Sequence, residues 1–211
     1  MATMNVLNAS IRQSVVRELH LTKKVGIFAG TFDPIHDGHI SVAEEAIKHL
    51  ELDKIYFMVE KYPWSHKQPV SIEHRIEMVD RAIVKNATLS QFIIENERFT
   101  LKETLPIIEQ HFKNAELYFI FGADVFLRIN QDRWPGLEKL LKHYIVVFER
   151  EGITEQELER YAKELGIVTA IIPSLHKKHN STDIRMQPDK REIWVPKEVA
   201  QYIRQHNLYT T

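Results

Sequence analysis

Short apolar runs alternate with amphipathic stretches along most of this chain. Runs near 25–29, 55–59, 91–94, 117–121, 144–148 and 167–172 read as strands. Helical spacing of apolar and polar positions covers about 38–50, 71–85, 100–113, 123–131, 154–165 and 196–206. Strand, helix, strand in series predicts an α/β fold with a parallel sheet covered on both faces, because a parallel crossover needs a helix to return the chain. In such a sheet ligands collect beyond the carboxyl ends of the strands, where residues 30–39 and 122–124 fall. Ahead of the first run, Ile11, Val15, Val16 and Leu19 form an apolar stripe, which predicts a short docking helix within an extension over residues 1–22.

Composition narrows the picture. At 211 residues the chain suits a single domain, 23–211, with that small appendage. A net charge of −1 implies no bulk attraction to nucleic acid. No apolar run approaches the ~20 residues needed to cross a bilayer, and the first residues lack the apolar core of a signal peptide, so no membrane association is expected. The absence of Cys excludes disulfides and fits a cytoplasmic setting. Oligomeric state stays open, with a homo-oligomer among the states allowed.

The chemistry concentrates in residues 25–39, Val-Gly-Ile-Phe-Ala-Gly-Thr-Phe-Asp-Pro-Ile-His-Asp-Gly-His. An apolar strand runs into Gly30-Thr31-Phe32, Pro34 fixes a turn, and His36 and His39 open an amphipathic helix. Gly30 permits close backbone approach, and Gly38 leaves room beside a ligand. Free N–H groups at a helix N-terminus, with the positive end of its dipole, form a natural phosphate site. Imidazoles at i and i+3 can reach the same anion. Other readings exist for the histidines alone. Eleven His make a chance His-x-x-His common, and His176/His179 is a second pair. A zinc site would need further ligands, and neither Cys nor a suitably spaced acid supplies them. Ordinary turn and cap residues are the remaining alternative. Only the whole string, in which each residue has a separate mechanical job, favours phosphate.

Gly-Thr-Phe-Asp-Pro-Ile-His-x-Gly-His resembles the first motif of the nucleotidyltransferase superfamily, in a form similar to that of bacterial nicotinate-nucleotide adenylyltransferases. Ala29 stands where that family usually has glycine. Three further stretches match in order. These are Pro63-Trp64-Ser65-His66-Lys67 with Ser71-x-x-x-Arg75-x-x-Met78, then Phe121-Gly122-Ala123-Asp124 with Trp134 and Leu137, and finally Asn180-Ser181-Thr182-Asp183-Ile184-Arg185. The resemblance covers about residues 23–208. It implies a Rossmann-like, doubly wound parallel sheet, and adenylyl transfer from ATP to nicotinate mononucleotide with Mg²⁺ as cofactor. It assigns His36, His39 and Arg185 to catalysis, and Gly30, Thr31, Phe32, Gly38, Asp124, Ser181 and Thr182 to ATP. Thr100, Thr104, Trp134, His66 and Lys67 fall to the pyridine mononucleotide, Trp134 by stacking on the ring.

The residues also carry readings of their own. Ser181, Thr182 and Asp183 before an Ile/Arg run read as a helix N-cap, with Arg185 one turn on and able to grip phosphate bidentately. Asp124 can cap a helix, Trp134 can be core, and His66 and Lys67 can be a solvated loop. The basic cluster His176-Lys177-Lys178-His179 is either solvated or adds positive potential near a triphosphate. Thr100 and Thr104 share a helical face at i,i+4, yet the family's Tyr-Thr-x-x-Thr-Leu spacing is stretched by one residue and the tyrosine is absent. Nicotinate against nicotinamide is therefore open, as is another phosphate acceptor. A nucleotide-binding regulator without catalysis is the alternative from a different class. A phosphate nucleophile is already anionic at neutral pH, so the chemistry needs positioning and charge stabilisation and no general base. Mg²⁺ is expected to keep most of its waters and few protein ligands.

Overall fold

A computed structural model describes residues 22–62, 68–96, 98–129 and 134–210. The stripe at 11–19 lies outside these residues, as do His66 and Lys67.

Six strands, β1 Lys23–Gly30, β2 Lys54–Val59, β3 Leu89–Gln91, β4 Ala115–Gly122, β5 Tyr144–Phe148 and β6 Thr169–Ile172, form one parallel sheet in the order β3-β2-β1-β4-β5-β6. The helices are α1 Asp37–Leu50, α2 Ile72–Ile83, α3 Thr104–His111, α4 Ala123–Phe126, α5 Leu137–Leu140, α6 Glu155–Leu165, α7 Ser181–Met186, α8 Pro188–Ile193 and α9 Lys197–Gln205. Strand side chains alternate between two cores, as the pleat requires. Phe28, Ile55, Phe57, Ile120 and Val146 pack with α1, α2 and α9 through Val42, Ala46, Met78 and Val199. Val25, Ile27, Phe119, Ile145 and Val147 pack with α3, α4 and α6 through Leu105, Ile108, Phe126 and Leu158. Because both faces are covered, the strands read as nearly continuous apolar runs. This is the doubly wound Rossmann-like arrangement, and the strand order reverses at β1, which opens a crevice between β1 and β4.

Three elements differ from expectation in ways that bear on the site or the sheet edge. The third strand is Leu89–Gln91, not 91–94. It lies at the sheet edge with only β2 to pair with, the ladder runs Ile55↔Leu89 to Phe57↔Gln91, and Ile93 beyond it is 64% exposed. The third helix begins at Thr104 rather than 100, because Thr100 closes a turn ahead of it: its carbonyl accepts the Thr104 and Leu105 N–H groups (3.0 and 3.1 Å) and its hydroxyl accepts the Glu103 N–H (3.1 Å). The helix after β4 ends at Phe126, short of 131. No helix among the described residues is long and apolar enough to cross a membrane.

Candidate active site

Beyond the carboxyl ends of β1, β2, β4 and β5 lies a cleft of about 670 Å³. Gly30, Thr31, Phe32, His36, His39, Asp124, Trp134, Ser181, Thr182 and Arg185 all line it. Gly38, Thr100 and Thr104 do not.

The phosphate-loop geometry follows from steric detail. Phe32 turns with φ 48°, and its ring tip lies 2.9 Å from where a Cβ on Gly30 would sit. Glycine at 30 is therefore what lets Phe32 fold back and bury. Gly38 makes room for the His36 ring (3.0 Å) rather than for a ligand directly. His36 is the N-cap of α1 in extended backbone, and its N–H donates to His39 Nδ1 (3.3 Å). That bond makes Nδ1 an acceptor, so neutral His39 carries its proton on Nε2, a donor for the cleft. The two rings stack at 3.7 Å, and Phe28 and Phe32 stand edge-on to His39 at 5.9 and 5.1 Å. His36 Nδ1 is buried without a hydrogen-bond partner. Burial, first of all, holds both imidazoles well below the ordinary 6.5; His39 and Arg150 push His36 further down, and Arg150 does the same to His39. Burial thus favours the neutral form of both rings.

Asp33 ties the loop to the C-terminal segment. It is 5% exposed, and its carboxylate accepts from Tyr209 OH (2.7 Å) and faces Arg185 (3.4 Å). Arg185 also donates to the Asp33 carbonyl (2.5 Å) and to Thr182 Oγ1 (3.2 Å). Ser181 Oγ donates to the Pro34 carbonyl (3.0 Å), which docks the start of α7 on the loop. The N-cap of α7 is Asn180, one residue earlier than expected, since its side chain accepts the Asp183 N–H at 2.8 Å. Arg75, buried within α2, donates to the carbonyls of Thr31, Glu60, Lys61 and Val70 and so braces the loop from beneath.

The other side of the cleft is aromatic. Trp134 stands 5.8 Å from Phe121 and 6.4 Å from Phe99. Thr104 is buried, with its hydroxyl donating to the Arg98 carbonyl (2.9 Å) and accepting the Thr100 N–H (3.0 Å). Both threonines thus shape the wall from behind.

Sequence reasoning passed over several cleft residues, among them the charged Arg150 and Glu60. Arg150 lies over the Phe148 ring (4.8 Å), 3.8 Å from Asp124, and donates to the His179 carbonyl (3.3 Å). Glu60 is buried, and its Oε1 accepts the Phe99 N–H (2.9 Å). Glu60 directly follows β2 and Arg150 stands two residues beyond the end of β5, and that position, at the ligand end of a parallel sheet, was the available signal. Lys177 and Lys178 of the basic cluster also line the cleft, with Lys177 paired to Glu149 at 2.6 Å.

A doubly wound sheet with imidazoles, a tight loop and arginine at its switch point defines a Rossmann-like protein built to handle phosphorylated ligands. The model of the cytidylyltransferase-like family matches residues 27–187. A protein of Clostridium botulinum named a probable nicotinate-nucleotide adenylyltransferase is 38% identical over 203 residues, spanning 89% of this chain and 98% of that one. The nicotinate-nucleotide adenylyltransferase of Bacillus subtilis is 32% identical over 200 residues, with the same coverage. Plasmodium falciparum nicotinic acid mononucleotide adenylyltransferase, solved in complex with NaAD, shares the fold at a TM-score of 0.73 and 19% identity, covering 89% of this chain and 97% of that one. The chain belongs to the cytidylyltransferase-like family and, within it, to the nicotinate-nucleotide adenylyltransferases.

Proposed function

We propose that this protein transfers the adenylyl group of ATP to the 5′-phosphate of nicotinate mononucleotide, yielding deamido-NAD and pyrophosphate in NAD biosynthesis. The observation that carries the reading is the stacked His36–His39 pair at the start of α1, lining a cleft whose opposite wall is aromatic. A phosphate oxygen of the mononucleotide attacks the α-phosphorus in line, and the bond to pyrophosphate breaks. His39 Nε2–H and the amides of 30–32 stabilise the charge that develops, and Arg185, held by Asp33, meets the phosphates from the α7 side. Arrival of the anionic triphosphate raises the pKa of both imidazoles, so the donors gain charge as substrate binds. The planar pyridine ring stacks on Trp134.

No group of three or more His, Asp or Glu among the described residues is arranged to hold a metal ion. This donor set fits Mg²⁺ carried on the triphosphate, with Asp124 the carboxylate that would hold it through water, since its side chain is 57% exposed against 6% for Asp33. When bound, Mg²⁺ supplies charge neutralisation on the pyrophosphate oxygens. The test is incubation with ATP, Mg²⁺ and nicotinate mononucleotide, with both products quantified. Deamido-NAD and pyrophosphate in equal amounts are expected. ATP binding with neither product would instead make the chain a nucleotide-binding regulator.

A further inference from the structure

The function proposed above does not use the chain's second His-x-x-His pair, His176 and His179. On the adenylyl-transfer reading, we propose that His179 is a positioning residue for His36: its ring, backed by Trp194, holds the His36 imidazole in the orientation that the reacting phosphates require.

The His36–His39 stack is flanked by aromatic rings from two different parts of the fold. Against His39 stand Phe28 and Phe32, edge-on and rooted in β1 and its loop. Against His36 stands His179, with 6.3 Å between ring centres and the planes at 75°. Aromatic pairs favour such an edge-to-face arrangement. His179 in turn lies flat on Trp194, at 4.3 Å and 14°. Trp194 is itself pinned: its carbonyl accepts the N–H of Asp37, the first residue of α1 (2.9 Å), and Lys190 Nζ lies over its ring at 4.2 Å. The His179 backbone is held too, its carbonyl accepting from Arg150 (3.3 Å) and its N–H donating to the His176 carbonyl (2.9 Å). Glycine at 38 admits this packing, since a Cβ there would lie 3.0 Å from the His36 ring and 3.3 Å from the His179 Cβ.

Packing is what His36 relies on. Its Nδ1 has no hydrogen-bond partner among the described residues, so no bond from that atom fixes the ring. His179 Nδ1 is likewise buried and unbonded among them, which leaves its ring to act through its faces and edge. Burial, then His176 and Lys190, lower the His179 pKa and favour an uncharged ring. An uncharged neighbour does not oppose the charge that His36 gains beside a triphosphate. His179 also immediately precedes Asn180, the N-cap of α7. The segment that docks Ser181 on Pro34 and bonds Arg185 to Asp33 therefore carries the support of His36 as well. One docked segment supplies the arginine and sets the imidazole.

The test measures kcat and both KM values with ATP, Mg²⁺ and nicotinate mononucleotide. It compares the wild type, His179→Ala, His179→Phe, His36→Ala and the double variant His36→Ala/His179→Ala. His179 is half-buried in a loop, so the sheet and its two cores do not depend on it. Ala should lower kcat by at least about tenfold, since a small misplacement at the reacting atoms costs up to about a hundredfold. The mononucleotide KM should stay within about threefold, because the ring binds on the other wall. Phe keeps a flat ring on Trp194 and should recover kcat to within about threefold of the wild type. In the His36→Ala background, the change at 179 should cost less than about threefold, because the group it positions is gone. A loss of about tenfold repeated in that background would overturn the proposal. So would a Phe variant as slow as the Ala variant, or an Ala variant with kcat near that of the wild type. Absence of deamido-NAD with the wild type would be a different failure, that of the adenylyl-transfer reading itself.

Discussion

On the α1 side of the sheet, the cleft is lined by His36, His39 and the 30–33 loop; on the opposite face, by Phe99, Phe121, Trp134 and Glu60. The first side holds polar groups short of partners: His36 Nδ1 is buried and unbonded, and burial holds both imidazoles well below their ordinary pKa. A buried polar group without a partner costs stability, so this side is destabilised until an anion arrives. On the second side the polar groups bond within the protein: the Glu60 carboxylate accepts the Phe99 N–H, and the Thr104 hydroxyl accepts the Thr100 N–H and donates to the Arg98 carbonyl. Binding there rests on aromatic surface and shape. One wall is prepared for changing charge, the other for recognising a fixed outline, and their mutants should fail in different kinetic constants.

The largest effect is expected at His39. Replacing it by Ala should lower kcat by about 10²–10³, the usual cost of one preorganised donor, with the KM of the mononucleotide nearly unchanged. A near-normal kcat would break the contrast between the walls. Trp134→Ala should do the opposite, raising the mononucleotide KM by about tenfold through lost stacking and leaving the KM of ATP in place.

Proton linkage sharpens the contrast further. Burial lowers the folded-state pKa of His36, His39 and His179, while in the unfolded chain each titrates near 6.5. The unfolded state therefore binds more protons below that pH. The stability of the ligand-free protein should be fullest above about 6.5 and fall progressively as the pH drops through the lowered folded values, as denaturant titrations at several pH values would read. ATP favours the protonated imidazoles, so its affinity should rise as pH falls toward 6.5, with protons taken up on binding in calorimetry run in buffers of different ionisation enthalpy. The smallest effect belongs to Tyr209→Phe. It removes the hydroxyl that donates to buried Asp33 and should cost about 1–3 kcal/mol in urea unfolding, with a lesser loss of activity.

The loop at 30–39 was legible because each residue has a mechanical reason that sequence displays: glycine where Phe32 folds back, proline at the turn, imidazoles one helical turn apart. The alternation of strands and helices was equally plain, since parallel strands buried on both faces announce themselves as apolar runs. The edge strand was misplaced because Phe92, Ile93 and Ile94 are as apolar as a strand should be, whereas only pairing with β2 decides where the ladder stops. At α7, Asn180, Ser181, Thr182 and Asp183 are all competent caps, and the choice of Asn180 is made by the docking of Ser181 on Pro34. Thr100 and Thr104 look like one helical face, but Thr100 is used up in the turn before α3. Glu60 and Arg150 were missed because charges just beyond a strand, here Glu60-Lys61 and Glu149-Arg150-Glu151, are written the same way whether they face solvent or a cleft.

The most direct test of this account is a steady-state comparison, with ATP, Mg²⁺ and nicotinate mononucleotide, of the wild type, His39→Ala and Trp134→Ala. The account predicts a double dissociation: a collapse of kcat at His39 with the mononucleotide KM held, and a raised mononucleotide KM at Trp134 with kcat largely kept. Parallel losses in both constants for both variants would contradict it, because the two walls would then not be doing separate jobs.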